Sequence, residues 1–182
     1  MATGRSKPTW SDVKGKLVDF DRQGLIGLVQ DLYEASKDNQ AFLHARFALG
    51  GDMLNLYKAT IDRWLWPDGL KNQRTSVAKA KKAISDYKKA IGRAEGLAEL
   101  MVFYCERAAG FSYDVGFQDE GYLDALVRMF GQALKTIDAL PYDGRPALKA
   151  RLDAVRHISH NFGYGVGDDM DDLFAEFGFD GR

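Results

Sequence analysis

The chain has 182 residues, of which 46% are apolar and 28% charged, and its formal net charge is −1. This balance is typical of a globular protein, and it excludes a disordered polar chain or a strongly basic nucleic-acid binder. The one cysteine, Cys105, excludes an intramolecular disulfide and favours a reducing compartment. No apolar run approaches the roughly 20 residues that span a bilayer, and the N-terminal segment lacks the apolar stretch of a signal peptide. A cytoplasmic location is therefore expected.

The charge is divided unevenly along the chain. Residues 1–91 hold 16 Lys and Arg against 10 Asp and Glu, whereas residues 92–182 hold 9 against 16. One interpretation is a basic surface and an acidic surface that bind partners of opposite charge. The favoured alternative is that the two halves attract each other within one fold or that the asymmetry is incidental, because the near-neutral total lacks the strongly basic character of a nucleic-acid binder.

The spacing of apolar residues predicts helices from the first residues onward. A capping-box spacing at Thr9 and Asp12 predicts a helix over residues 10–20, after an expected disordered N-terminus over residues 1–8. Asp21 is the expected cap of a second helix, whose apolar face includes Leu25, Ile26 and Val29. A third helix is predicted over residues 40–49, and a fourth begins after Asp52 and ends at the turn of residues 67–69.

The most regular apolar spacing runs from Val77 to Cys105, in alternating steps of three and four residues. Gly92 and Gly96 interrupt this stretch, so one continuous helix and two helices, over about 76–91 and 93–109, are both open. Residues 110–118 are expected to form a loop. Asp119 is the expected cap of the long helix that follows.

Three features predict the C-terminal part. Pro146 suits the first turn of a helix that carries Leu152 and Val155. Glycines at 163, 165 and 167 predict a bend. Residues 168–182 predict an acidic amphipathic helix capped by Asp168. This helix either docks on the protein's own core or binds a partner. Docking on the core is favoured, because the helix has apolar residues that can anchor it there.

Together these elements predict an all-α protein, a single domain over residues 1–182 built as a bundle of about seven to nine helices. An α-solenoid-like array of helix pairs is the alternative, although no repeat is evident. Several runs, DLY at 31–33, FLHARF at 42–47, AKKAISDY at 80–87, ELMVFYCE at 99–106 and GYGVGDD at 163–169, resemble a widespread family of uncharacterised bacterial all-helical proteins. The resemblance covers about residues 10–178. It implies a bacterial, helical protein and transfers no activity and no site residues.

One group of residues has metal-ligand spacing. Asp153, His157 and His160 lie four and three residues apart, which places them on one helical face. Two histidines and a carboxylate are a ligand set for zinc or another divalent ion, and the acidic residues after the glycine bend, among them Asp168 and Asp171, offer further oxygens. A solvated polar helix face is the favoured interpretation, because the HExxH pattern of zinc proteases is absent.

Other candidate sites are weaker. The lysine-rich helix over residues 76–93 has one basic face suited to nucleic-acid phosphates, but no aromatic residues stand beside its lysines in sequence, so nucleic-acid binding is the less favoured interpretation. Cys105 lies among apolar residues, and His44 lies in an apolar helix, so both are interpreted as structural. The GYGVGDD run follows a predicted helix rather than a strand, which argues against a dinucleotide-binding loop.

The sequence therefore predicts a protein-interaction or scaffold module, with no cofactor and no reaction indicated. The expected partner is another protein or a second copy of the chain, with the basic helix and the acidic tail as binding surfaces and no association with membranes. A metal-binding, hydrolase-like protein using Asp153, His157 and His160 is the first alternative. Nucleic-acid binding through residues 76–93 is the second.

Overall fold

A computed structural model of the chain describes residues 7–49 and 52–177. Across these two ranges the chain forms α-helices and short 3-10 turns, with no β-strand, which confirms the predicted all-α, multi-helix class. The helices described are α1 Trp10–Leu17, α2 Arg22–Ala35, α3 Lys37–Arg46, α4 Met53–Leu65, α5 Val77–Ala90, α6 Ala94–Val115, α7 Glu120–Asp138, α8 Arg145–Ser159 and α9 Val166–Glu176.

The residue contacts group the chain into two compact units, Met1–Phe47 and Ala48–Arg182. The first contains α1 to α3, and the second contains α4 to α9. A single domain over residues 1–182 stays a prediction. The expected disordered N-terminus over residues 1–8 lies mostly outside the described residues, as do the end of the predicted C-terminal helix and the Gly50-Gly51 pair.

Local capping explains most of the helix starts. The backbone N–H of Thr9 donates to the Asp12 carboxylate at 2.7 Å at the start of α1. Asp21 accepts from the backbone N–H of Gly24 at 2.7 Å, and Asp119 accepts from that of Tyr122 at 2.8 Å. Each bond satisfies a backbone donor that has no partner within its own helix. These three predicted caps are confirmed.

The structure corrects several predicted helix boundaries. The first helix ends at Leu17 rather than at residue 20, and the third spans Lys37–Arg46 rather than 40–49, since Ser36 caps it three residues earlier. The stretch from 77 to 105 forms two helices, because Gly92 adopts a left-handed conformation with φ of +68° between α5 and α6.

Helix α6 is longer than the sequence predicts. Residues 110–115, expected to form a loop, continue the helix to Val115, and Gly116 ends it with φ of +69°. Gly110 lies against the indole of Trp66, where a Cβ would stand 2.8 Å from Cζ3. This glycine is therefore a contact point between α6 and the residues that follow α4, and it does not break the helix.

The core of the second unit is built around α6, which contacts α4, α5, α7 and α8. Leu100, Val102 and Tyr104 of this helix are fully buried. These three side chains point in different directions around α6 and are all buried, so the helix is covered on several sides. The apolar residues of α7, among them Leu126 and Phe130, complete this core.

Helix α9 packs on the same core through contacts with α7 and α8. Its residues Met170 and Phe174 are buried, and the Phe174 ring lies 6.4 Å from that of Phe130. The predicted docking of the C-terminal helix on the protein's own core is therefore confirmed over the described residues. Its predicted start is wrong, because Gly165 rather than Asp168 is the N-cap residue and Asp168 lies in the first turn.

Within the described residues, no helix is both long enough and apolar enough to cross a membrane.

Candidate functional site

The structure places Asp153, His157 and His160 along α8 and at its C-terminal end, but their side chains have different partners. The Nδ1 atom of His157 lies 2.8 Å from the Asp153 carbonyl oxygen and 3.5 Å from its carboxylate, and this imidazole is 64% exposed. Arg156 donates to the Asp153 carboxylate from Nε at 2.9 Å and from Nη2 at 2.8 Å. Asp153 thus stabilises the Arg156 guanidinium.

His160 instead lies against α9. Its Nε2 is 3.2 Å from an Asp171 carboxylate oxygen, and its ring approaches Gly167 so closely that a Cβ there would stand 2.5 Å from Nδ1. A glycine at position 167 is what permits this approach. Gly167, the last glycine of the predicted bend, lies inside α9. Its structural role is to leave room for the His160 ring.

A second set of residues joins His160 at this corner between α8 and α9. Ligand atoms of His160, Asp168 and Asp171 all lie within 4.8 Å of one another. Two carboxylates and one imidazole suit a divalent cation, and both aspartates were candidate extra ligands in the sequence. Asp153 and His157 are not part of this group. Metal binding by the predicted set of Asp153, His157 and His160 therefore stays a prediction.

Arg156 opposes cation binding at this corner between α8 and α9. Its Nη1 donates to Asp171 at 2.5 Å, and this hydrogen bond holds the pKa of the Asp171 carboxyl below its usual range. Asp171 is therefore ionised at neutral pH, as a metal ligand must be. The same guanidinium already compensates the charge of Asp171, so a cation would have to compete with it.

A charged network that no sequence pattern indicated connects three helices of the second unit. Glu99 of α6 accepts from Lys58 of α4 and from Arg151 of α8, each at 2.6 Å, and Arg151 also donates twice to Glu106 at 2.7 Å. Burial opposes ionisation of Glu99, but the two hydrogen bonds outweigh it and lower the pKa of this carboxyl. The network ties α4, α6 and α8 together.

Beside this network lies an open cleft of about 340 Å³ between α4 and α6. Both of its cations have carboxylate partners, since Lys58 pairs with Glu99 and Arg107 pairs with Asp62 at 2.5 Å. A charged ligand would have to break one of these pairs. The cleft is lined by Asn55, Lys58, Ala59, Asp62, Phe103 and Arg107.

The basic helix, α5, has an aromatic neighbour that the sequence did not reveal. The ammonium of Lys79 lies 3.9 Å from the centroid of the Trp64 ring, and the guanidinium of Arg63 lies 4.4 Å from it. These cations already interact with the ring that a base would need for stacking. Nucleic-acid binding through residues 76–93 stays a prediction.

Two residues interpreted as structural have the expected surroundings. Cys105 is fully buried, and burial raises the pKa of its thiol well above the ordinary value, so it has neither the exposure nor the charge of a nucleophile. His44 of α3 lies beside α2, with Nε2 3.0 Å from the Tyr33 hydroxyl. This contact connects the two helices.

The first unit differs from the second because many of its apolar side chains are exposed. Among its described residues, 7–47, Ala45 is the one side chain that is buried. Four apolar residues of α2 lie within about 120° of the helix circumference at 100° per residue and are between 39% and 59% exposed. We call these residues, Leu25, Ile26, Val29 and Leu32, the α2 apolar face.

The same unit has further exposed apolar residues. They are Trp10, Val13, Val18, Phe20, Phe42 and Phe47. Scattered exposed apolar residues are normal on a soluble protein, but ten within 41 residues are not. The sequence showed that α2 is amphipathic, but only the structure shows that its apolar side is uncovered.

Comparison of the chain with models of protein families, with curated proteins and with solved structures finds no match. The resemblance to bacterial helical proteins stays a prediction.

Proposed function

We propose that this protein is a non-catalytic protein-interaction module that binds through the α2 apolar face. The observation that supports this proposal is the exposure of Leu25, Ile26, Val29 and Leu32 on one side of an amphipathic helix. An amphipathic helix normally buries such a face, and helix-in-groove recognition uses this pattern of anchors. Covering the face would release ordered water and stabilise the complex.

The energetics of the first unit support the same proposal. Chains below about 40 residues rarely stay folded without disulfides, metals or a partner, because they bury too little apolar surface. The described part of this unit is about that size, has no cysteine and buries one side chain. We infer that a bound partner supplies the missing contacts.

The proposed binding surface differs from the two that the sequence suggested. The apolar side of the acidic tail is used within the chain, since Met170 and Phe174 are buried. On the basic helix, Lys79 lies over Trp64, and Lys82 pairs with Asp86 at 2.7 Å. The α2 apolar face remains the surface whose chemistry most clearly calls for a protein partner.

A site-specific photo-cross-linking experiment in the native host cells tests the proposal. A photoreactive amino acid replaces Ile26, at the edge of the α2 apolar face, or Asp31, which is exposed on the opposite side of the same helix. We expect protein adducts from position 26 and few from position 31. Equal yields at both positions, or none at position 26, would contradict the proposal.

We propose metal binding at His160, Asp168 and Asp171 as the second candidate function, supported by their converging ligand atoms. Calorimetric titration with Zn²⁺ and Mn²⁺ tests it. We expect binding that is lost in Asp168→Asn and retained in His157→Ala, since His157 lies outside the group. Absence of binding would contradict this candidate, and loss of binding in His157→Ala would favour the original trio of Asp153, His157 and His160.

A further inference from the structure

We propose that the α2 apolar face docks on the same face of a second copy of this chain, so that the partner is the protein itself and the dimer has two-fold symmetry. This inference rests on the proposed function and names the occupant of the surface. An isologous interface needs one self-complementary patch, and an apolar stripe along a helix is such a patch.

The available apolar area is the first argument. A stable interface covers about 800 Å² on each partner. From their exposed fractions, the four residues of the α2 apolar face offer only about 350 Å², which is less than this requirement. The ten exposed apolar residues among the described residues of the unit together offer on the order of 1,000 Å². The dimer is therefore centred on α2 and needs contributions from α1 and the end of α3, above all from Trp10 and Phe47, which are 69% and 65% exposed.

Charge is the second argument. Residues 7–47 hold six Lys and Arg against six Asp and Glu, so two copies of this unit do not repel each other. A strongly acidic or strongly basic partner has no complementary surface here. The only charges in α2 are those of Arg22, Asp31 and Glu34, which sum to −1. With one arginine and a net negative charge, α2 lacks the cluster of lysines and arginines with which amphipathic helices attach to anionic membranes.

Folding is the third argument. Because the described residues of the unit bury one side chain, a partner that is always present would stabilise its folded state. A second copy of the chain is such a partner whenever the concentration of the chain exceeds the Kd of the dimer. The interface then behaves as an obligate one, in which apolar contacts dominate.

The test measures the mass of the full chain in solution by sedimentation equilibrium. We expect twice the 20.3 kDa of one chain at about 100 µM. Val29→Lys places a charge in the middle of the α2 apolar face, and we expect it to weaken dimerisation on the order of 100-fold. Asp31→Asn changes the net charge by the same amount on the opposite side of α2 and should remain dimeric. Circular dichroism confirms that both variants are helical.

A cross-linking control covers the case in which Val29→Lys fails to fold. The native Cys105 is fully buried, so a cysteine introduced at position 29 or 31 is the reactive thiol of its variant. A short bis-maleimide should link two chains of Val29→Cys and should not link those of Asp31→Cys.

The outcomes separate this inference from the proposed function. A wild-type chain that is monomeric at about 100 µM, or a dimer that links through position 31 and not 29, overturns the inference. If the chain is monomeric while position 26 forms adducts with a different protein, the proposed function holds and the second copy is excluded. Co-sedimentation of a monomer with phosphatidylglycerol vesicles, lost in Val29→Lys, would assign the face to a membrane instead.

Discussion

Replacement of Gly96 by alanine should destabilise the protein, although alanine normally favours a helix. Gly96 lies in the first turn of α6, and a Cβ at this position would overlap the Tyr87 hydroxyl and stand 2.6 Å from its Cζ. The Tyr87 ring cannot move away freely, because it is 4% exposed and packs edge-on against Tyr57 at 5.4 Å. The substitution therefore forces α5 and α6 apart or displaces a buried ring.

The size of this effect follows from two opposing contributions. Overpacking a closed core costs about 1–3 kcal/mol. Replacing glycine by alanine in a helix returns about 0.5–1 kcal/mol. The net loss should be up to about 2.5 kcal/mol, and for a chain of this length it lowers the Tm by up to about 10 °C.

Gly121 provides a matched control. It occupies the same part of α7, but a Cβ there would meet its nearest atom, the Asp119 carboxylate, at 3.5 Å, an ordinary contact. Gly121→Ala should therefore raise stability by up to about 1 kcal/mol. Urea and thermal unfolding followed by circular dichroism measure both variants. If Gly96→Ala is as stable as Gly121→Ala, then the close packing of Tyr87 against α6 is not a constraint and the reasoning is refuted.

Three further predictions concern the second unit. The pKa of Glu99 is lowered in the folded state, so its stabilising contribution is present above the unfolded pKa of about 4.3 and disappears as the pH falls through the folded value. Glu99→Gln should therefore cost about 1–3 kcal/mol at pH 7, and urea unfolding should show the difference between the two proteins shrinking as the pH falls below about 4.3. Tyr122→Phe removes a buried 2.8 Å hydrogen bond to the Leu65 carbonyl and should cost about 1–2 kcal/mol in the same assay, whereas an unchanged stability would indicate that water replaces the hydroxyl. The Cys105 thiol, buried and with a raised pKa, should react with a disulfide reagent only after denaturation, and rapid labelling of the native protein would contradict its placement in the core.

The helix starts were predictable because their causes are local. Asp21, Ser76 and Asp119 each cap a helix by accepting from the backbone N–H three residues later, at 2.7, 3.4 and 2.8 Å. Residue type and spacing within one turn determine these bonds, so they can be read from a single sequence. The amphipathic pattern of α2 is local in the same sense.

The end of α6 and the α8–α9 corner were not predictable, because their causes are distant in sequence. Gly110 was expected to begin a loop, but it lies inside α6 against the Trp66 ring, a close contact that only the packed structure creates. Helical spacing grouped His160 with Asp153. In the structure, the bend that follows His160 brings Asp171 of α9 next to its ring. The pairing of Arg151 with Glu99, 52 residues away, leaves no pattern in the sequence.

By itself, then, the sequence determined the all-α class, the main caps and the burial of Cys105, since helix periodicity and capping act within a few residues. Only the tertiary structure decided which apolar faces are covered. The C-terminal helix and α2 are both amphipathic, yet Met170 and Phe174 are buried while Ile26 and Val29 are exposed. Periodicity shows that a helix has an apolar side, but burial depends on whether another element lies against that side. That difference is why the proposed binding surface lies on α2 rather than on the acidic tail.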